Sequence, residues 1–102
     1  MNDLDQKINV QPHSIDAELA VLGSMLSSKE AVSKTIQWLK PNHFYKDSNG
    51  KIFSAMLLLF ENGDPIDTVS LIDVMRKNKD LDSVGGAYFI TRLVESVPTV
   101  AH

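Results

Sequence analysis

The sequence predicts an all-α fold: a small orthogonal bundle of about five helices, with the start of a sixth at its C-terminal end. Three observations lead there. Apolar residues recur at helical spacing through most of the chain. No stretch alternates β-branched and polar residues as a half-buried strand would. Capping and breaking residues stand between the periodic segments. Residues 60–71 are the densest punctuation. Gly63 can take the left-handed backbone that closes a helix, and Pro65 stops that helix from continuing. Asp67 or Thr68 then offers an oxygen to the bare amides of the next helix, and Leu59, Phe60 and Ile66 bracket the turn.

Residues 1–13 are polar and aperiodic and read as a flexible N-terminal tail. A helical head is expected over 14–97. Ser14 is the first cap, with Asp16 and Glu18 adding negative charge in the first turn. Ile15, Leu19, Leu22 and Leu26 share one face of this helix, which ends near Ser27. Ser28 caps the second helix, with Glu30 in its first turn and Val32, Ile36 and Leu39 repeating until Pro41 ends it.

Residues 41–45 read as a turn or one short helical turn. The adjacent Phe44 and Tyr45 cannot point the same way, so one is expected in the core and the other over an edge. Asp47, Ser48 or Asn49 opens the third helix. There Ile52, Phe53, Met56, Leu57, Leu59 and Phe60 form an apolar surface broader than a stripe, marking the central and most buried element. Val69, Ile72 and Met75, with Leu71 and Val74, mark a fourth helix that frays at Lys77 and Asn78. After the loop 78–84, the pair Gly85–Gly86 is expected to let the backbone approach a neighbouring helix. Ala87, Phe89, Ile90, Leu93, Val94 and Val97 form a fifth helix ending before Pro98. Thr99 is a cap with almost no helix after it, so residues 98–102 read as the start of a truncated element.

The 102 residues, 43% of them hydrophobic, suffice for one domain with a single core and not for two. Ten basic against 13 acidic side chains give a net charge of −3, which argues against nonspecific capture of a polyphosphate. With no cysteine there is neither a disulfide framework nor a thiolate metal site. The start lacks a basic segment followed by an apolar run, so no signal peptide is read and the cytoplasm is the expected compartment. No window approaches the roughly 20 apolar residues that span a bilayer.

The chemistry-bearing patterns all fail. Gly50–Lys51 is followed by Ile52, and Tyr45 stands where a phosphate-binding loop needs its first glycine. Asp80, Asp82 and Gly85 begin a calcium-loop pattern, but Val84 fills a ligand position and Thr91 replaces the bidentate glutamate. His13, His43 and His102 are far apart, and no serine lies in a nucleophile elbow; Gly23–Ser24 falls inside the first helix. The carboxylate pairs Asp16/Glu18 and Asp64/Asp67 are better explained as helix-start charge than as acid and base. Arg76, Lys77 and Lys79 complement a helix C-terminus, with contact to an acidic partner as the lesser reading. No catalytic, cofactor-binding or metal-binding residue is therefore assigned. Trp38 and Tyr45 stand out among the aromatics, since each lies near a helix end and suits a half-exposed position.

Taken in order, Pro12-His13-Ser14-Ile15-Asp16-Ala17-Glu18 and Val21-Leu22-Gly23 resemble the opening of the amino-terminal domain of bacterial DnaB-type replicative helicases. Phe44–Tyr45, Ile52–Phe53, Ala55–Met56, Gly63-Asp64-Pro65-Ile66-Asp67, Val69, Leu81, Val84-Gly85-Gly86, Tyr88, Leu93 and Val97–Pro98 continue the resemblance to Pro98. It implies an all-α head followed by a helical hairpin and a RecA-like motor, with ATP and Mg²⁺ acting in that absent motor and none here. It further implies hexameric assembly, in which such heads form a collar that binds primase and, in some members, a helicase loader. DNA would be engaged through the hexamer. The resemblance places no catalytic residue on this sequence, and the shortened hairpin implies a monomer or weak dimer. A freestanding helical adaptor sharing the fold is the competing expectation.

Overall fold

In a computed structural model, residues 14–98 are described; they form helices joined by turns and short extended links, with no strand among them. The expected tail at 1–13 and the residues after Pro98 lie outside the described range. Five α-helices follow in order: α1 (Ile15–Ser27), α2 (Lys29–Trp38), α3 (Asp47–Glu61), α4 (Thr68–Lys77) and α5 (Gly86–Arg92). Short 3₁₀ turns stand at Pro41–His43, Asp82–Val84 and Leu93–Ser96.

Ser14, Ser28 and Asp67 cap helices as the sequence predicts. Ser14 Oγ accepts from the Ala17 amide at 3.1 Å and starts α1. Ser28 serves two helices. Its own N–H donates to the Ser24 carbonyl to close α1, while its Oγ accepts from Ala31 N at 3.2 Å to open α2. Asp67, rather than Thr68, caps α4, with Oδ1 accepting from Ser70 N at 2.8 Å. Inside α1 the hydroxyl of Ser24 donates to the Ala20 carbonyl, the local bond expected of a mid-helix serine.

α3 is the central element. Ile52, Phe53 and Met56 are wholly buried, with Ala55 and Leu59 nearly so. Leu22 and Met25 from α1, Leu71 and Met75 from α4, and Ile90 and Leu93 close around them. Phe44 enters this core and meets Phe53 with ring centroids 5.0 Å apart, while Tyr45 stays half-buried at the edge.

Several apolar residues expected inside are outside. Val69 is 78% exposed because the inward line of α4 runs through Leu71 and Met75, whereas Val69 shares the outer face with Asp73 and Arg76. Phe60 and Val94 are exposed as well. The fifth helix is not continuous to Pro98, since after Arg92 it tightens into the 3₁₀ turn Leu93–Ser96. Gly85 and Gly86 do not serve a close approach to another helix. Both have positive φ, and a side chain on Gly85 would meet only its near neighbour Phe89.

Close approach occurs instead at Gly23, where a Cβ would run into the backbone carbonyl oxygen of Leu93. This notch lets α1 lie directly on the turn Leu93–Ser96, its most extensive contact. Two helix ends share one closure. At α3, Gly63 has φ 73°, its N–H donates to Phe60 O, and Asp64 N–H donates to Leu59 O. At α4, Lys79 N–H donates to Arg76 O and Asp80 N–H to Met75 O, so the end is closed and not frayed. Both are Schellman motifs, but in the second the left-handed position is held by Lys79 at φ 62°.

The start of α3 has no cap of its own, for Lys46 contributes no side-chain bond. Glu18 of α1 instead braces the residues that lead into it. Its Oε2 accepts from Tyr45 N at 2.6 Å, and its Oε1 accepts from Lys46 N at 3.4 Å and from Asn49 Nδ2 at 2.9 Å. Asn49 is wholly buried, and its Oδ1 finds no partner among the described residues, so the bond to Glu18 anchors that amide.

Replacing Glu18 by alanine leaves two backbone donors and a buried amide without their acceptor, and should cost about 2 kcal/mol, read as a fall in chemical-denaturation midpoint. Gly23→Ala should destabilise more than Gly63→Ala despite the better helix propensity of alanine. The first meets a backbone oxygen, whereas the second incurs only about 1 kcal/mol of left-handed strain, and paired thermal melts give the ranking. Lys79→Gly relieves the same strain and should raise Tm by a few degrees.

Candidate interaction surface

The residues singled out for chemistry do not converge. Asp16 is exposed in the first turn of α1, and its neighbour Glu18 is engaged with α3. Asp64 follows the α3 closure, and Asp67 is committed as the cap of α4. Asp80 and Asp82 flank a turn in which Ser83 Oγ donates to the Asp80 carbonyl. Among the described residues no group of three or more His, Asp and Glu side chains could hold a metal ion. His43 Nδ1 accepts from Lys40 N at 3.1 Å, closing the turn Pro41–His43; His13 and His102 lie outside the described residues.

Gly50 and Lys51 do not form a phosphate cradle. Gly50 and Lys51 lie within the first turns of α3, where the Gly50 amide donates to Lys46 O and its Cα face packs on the Pro41 carbonyl. A phosphate cradle needs such amides unpaired and turned toward the ligand. Nor is any helix among the described residues long and apolar enough to cross a membrane.

What the surface offers is contact. Arg76, Lys77 and Lys79 are exposed at the end of α4, with Lys77 paired to Asp73 at 3.1 Å. On α5, Tyr88 is exposed and accepts from Arg92 Nη1 at 2.8 Å, while Arg92 Nη2 reaches Glu95 at 3.1 Å. An open groove of ≈ 790 Å³ runs between the turn Pro41–His43 and the start of α3, with Phe44, Tyr45, Lys51 and Ser54 in its lining. Its wall is fixed by the Glu18 bonds to the Tyr45 and Lys46 amides. Trp38, three residues before this groove, is 78% exposed and so stands further out than the half-exposed position expected. The sequence flags Trp38 and Tyr45, but gives no sign that Glu18 holds the groove together. A carboxylate in a first turn looks the same whether it serves its own helix or another.

A family model described as the DnaB-like helicase N-terminal domain matches residues 10–102. The replicative DNA helicase DnaC of Bacillus subtilis (strain 168) is 37% identical over 91 residues, which are 89% of this chain and 20% of that protein. The replicative DNA helicase DnaB of Geobacillus stearothermophilus is 34% identical over 93 residues, 91% of this chain and 20% of the relative. The chain thus spans about a fifth of the length of the curated relatives it matches. The crystal structure of the N-terminal domain of DnaB helicase from Mycobacterium tuberculosis superposes with a TM-score of 0.83 at 34% identity, covering 86% of this chain and 63% of that one. With sequence and fold in agreement over nearly all of its length, the chain belongs to the family of DnaB-like helicase N-terminal domains.

Proposed function

We propose that this chain is the assembly and partner-docking head of a replicative DNA helicase. The head helps to build the hexamer collar and offers primase a docking surface, with a helicase loader as a further partner. Unwinding of duplex DNA belongs to a motor domain elsewhere in the protein, where ATP and Mg²⁺ act, and DNA is engaged by the hexamer as a whole. The protein works in the cytoplasm. The observation that supports this reading most is the family match across residues 10–102. The character of the surface agrees with it. Titratable side chains are used as caps and surface ion pairs, and large aromatic side chains stand in solvent, as suits a module recognised by shape.

Two outcomes follow. Titrating the chain with primase in a calorimeter should give saturable heat with a negative heat-capacity change, the mark of buried apolar surface; absence of heat would remove the docking role. Incubated with ATP, Mg²⁺ and single-stranded DNA, the chain should release no phosphate above the protein-free rate, and measurable turnover would overturn the noncatalytic reading.

A further inference from the structure

The chain contains one reactive dipeptide twice, Asn49–Gly50 and Asn62–Gly63, in opposite environments. A glycine after asparagine leaves the following backbone nitrogen unobstructed by a Cβ, so that nitrogen can reach the asparagine carboxamide and react with it. Whether it does so depends on how easily the backbone there can turn. Asn49 and Gly50 are both buried at the start of α3. Asn49 Nδ2 donates to Glu18 at 2.9 Å, both backbone amides donate to the Lys46 carbonyl, and Gly50 packs on the Pro41 carbonyl. Turning that peptide means undocking α1 and opening the core.

Asn62 and Gly63 lie at the other end of the same helix. Both are exposed, and nothing lies within 4 Å of the place a Gly63 Cβ would take. The closing hydrogen bonds hold them: Asn62 N–H to Leu58 O, Gly63 N–H to Phe60 O and Asp64 N–H to Leu59 O. At ψ −3° the Asn62 backbone turns the Gly63 nitrogen away from the Asn62 side chain, so the reaction waits for this last turn to open. Fraying of an exposed helix end is among the smallest openings a fold undergoes. Asn78 ends α4 in the same exposed closure, but there Lys79 follows, and its Cβ obstructs the approach.

We propose that Asn62–Gly63 is a site of spontaneous, timed modification, at which Asn62 becomes isoaspartate or aspartate while Asn49 stays intact. The Gly63 nitrogen bonds to Cγ of Asn62, the bond from Cγ to Nδ2 breaks, and Nδ2 leaves as ammonia carrying the proton given up by Gly63. The resulting five-membered imide takes up one water. Cleavage at the main-chain carbonyl of residue 62 leaves the chain running through Cγ, which is isoaspartate. Cleavage at Cγ restores the ordinary peptide bond with an aspartate side chain. No electrons are exchanged, and water is the one co-reactant. Either product sets a carboxylate at the negative end of the α3 dipole, between the exposed Glu61 and Asp64. The isoaspartyl form also adds a methylene to the main chain, which takes the Gly63 and Asp64 amides out of register with Phe60 and Leu59. The modification therefore loosens the turn between α3 and α4. It goes beyond the docking role proposed above and does not depend on it.

The test is to age the 102-residue chain at mildly alkaline pH and map its peptides by mass spectrometry, with fragmentation that tells isoaspartate from aspartate. Position 62 should convert at least about a hundredfold faster than position 49, because openings run from near zero free energy at frayed ends to the global value in a core. Position 78 should convert more slowly than position 62. In guanidinium chloride strong enough to unfold the chain, positions 49 and 62 should convert at similar rates, which assigns the difference to the fold. The aged chain should melt lower in proportion to its isoaspartate content, whereas Asn62→Gln, aged alongside, should keep its melting temperature. Position 62 remaining intact in the folded chain while it converts in denaturant would overturn the proposal. So would equal conversion of positions 49 and 62 in the folded chain, or an isoaspartyl chain that melts as the fresh one does.

Discussion

The bond set of Glu18 is the constraint on which the arrangement of the helices depends. α3 begins without a side-chain cap, and the two amides that lead into it, those of Tyr45 and Lys46, find their acceptor on another helix. Because the acceptor comes from α1, the start of the central helix forms in its native shape only when α1 is docked. One carboxylate thereby fixes the separation of two helices, the position of the Phe44–Tyr45 corner and the burial of Asn49. Hydrogen bonds to a charged acceptor are among the stronger ones, and partial burial keeps water from competing for them.

Around that joint the energetic roles divide cleanly. Apolar burial supplies cohesion and is concentrated on α3, whose inward surface is completed by α1, α4 and α5. Local caps and Schellman closures decide where each helix begins and ends. Neither class of interaction alone decides how the helices lie against each other. That task falls to a few specific contacts, namely the Glu18 bonds and the glycine notch against Leu93. The outer surface is left with unspent aromatics and short-range ion pairs, which cost little in the isolated domain and are available to a partner.

Most of the fold was legible in the sequence because most of it is local. Ser14, Ser28, Asp67 and Gly63 announce helix ends through rules that involve only a few neighbouring residues. What escaped was long-range or a matter of degree. Glu18 reads as first-turn charge, and its true acceptor role spans α1 to α3. Gly23 reads as a mild flaw in a helix, and its use appears only when Leu93 lies above it. Val69 and Val94 match an apolar pattern yet face water, because short helices bury a narrower stripe than their hydrophobic content suggests. Lys79 takes a position that favours glycine, so nothing in its identity signals the turn. For the candidate surface, the aromatic residues at helix ends are readable from the chain, but the groove is not, since it exists only where the turn Pro41–His43 meets α3.

The seating of α1 on the turn Leu93–Ser96 bears on how the chain folds. Gly23 and Leu93 lie near opposite ends of the described chain, so their contact closes nearly all of it into one loop. Loop closure of that length costs entropy that only the completed core can offset, and the entropy rises slowly with length. The α3–α4 hairpin can gather early through local contacts, whereas the clasp between first and last elements forms late. Breaking it would release both ends together. The domain should therefore open in hydrogen exchange as one cooperative unit, without a stable half that persists alone.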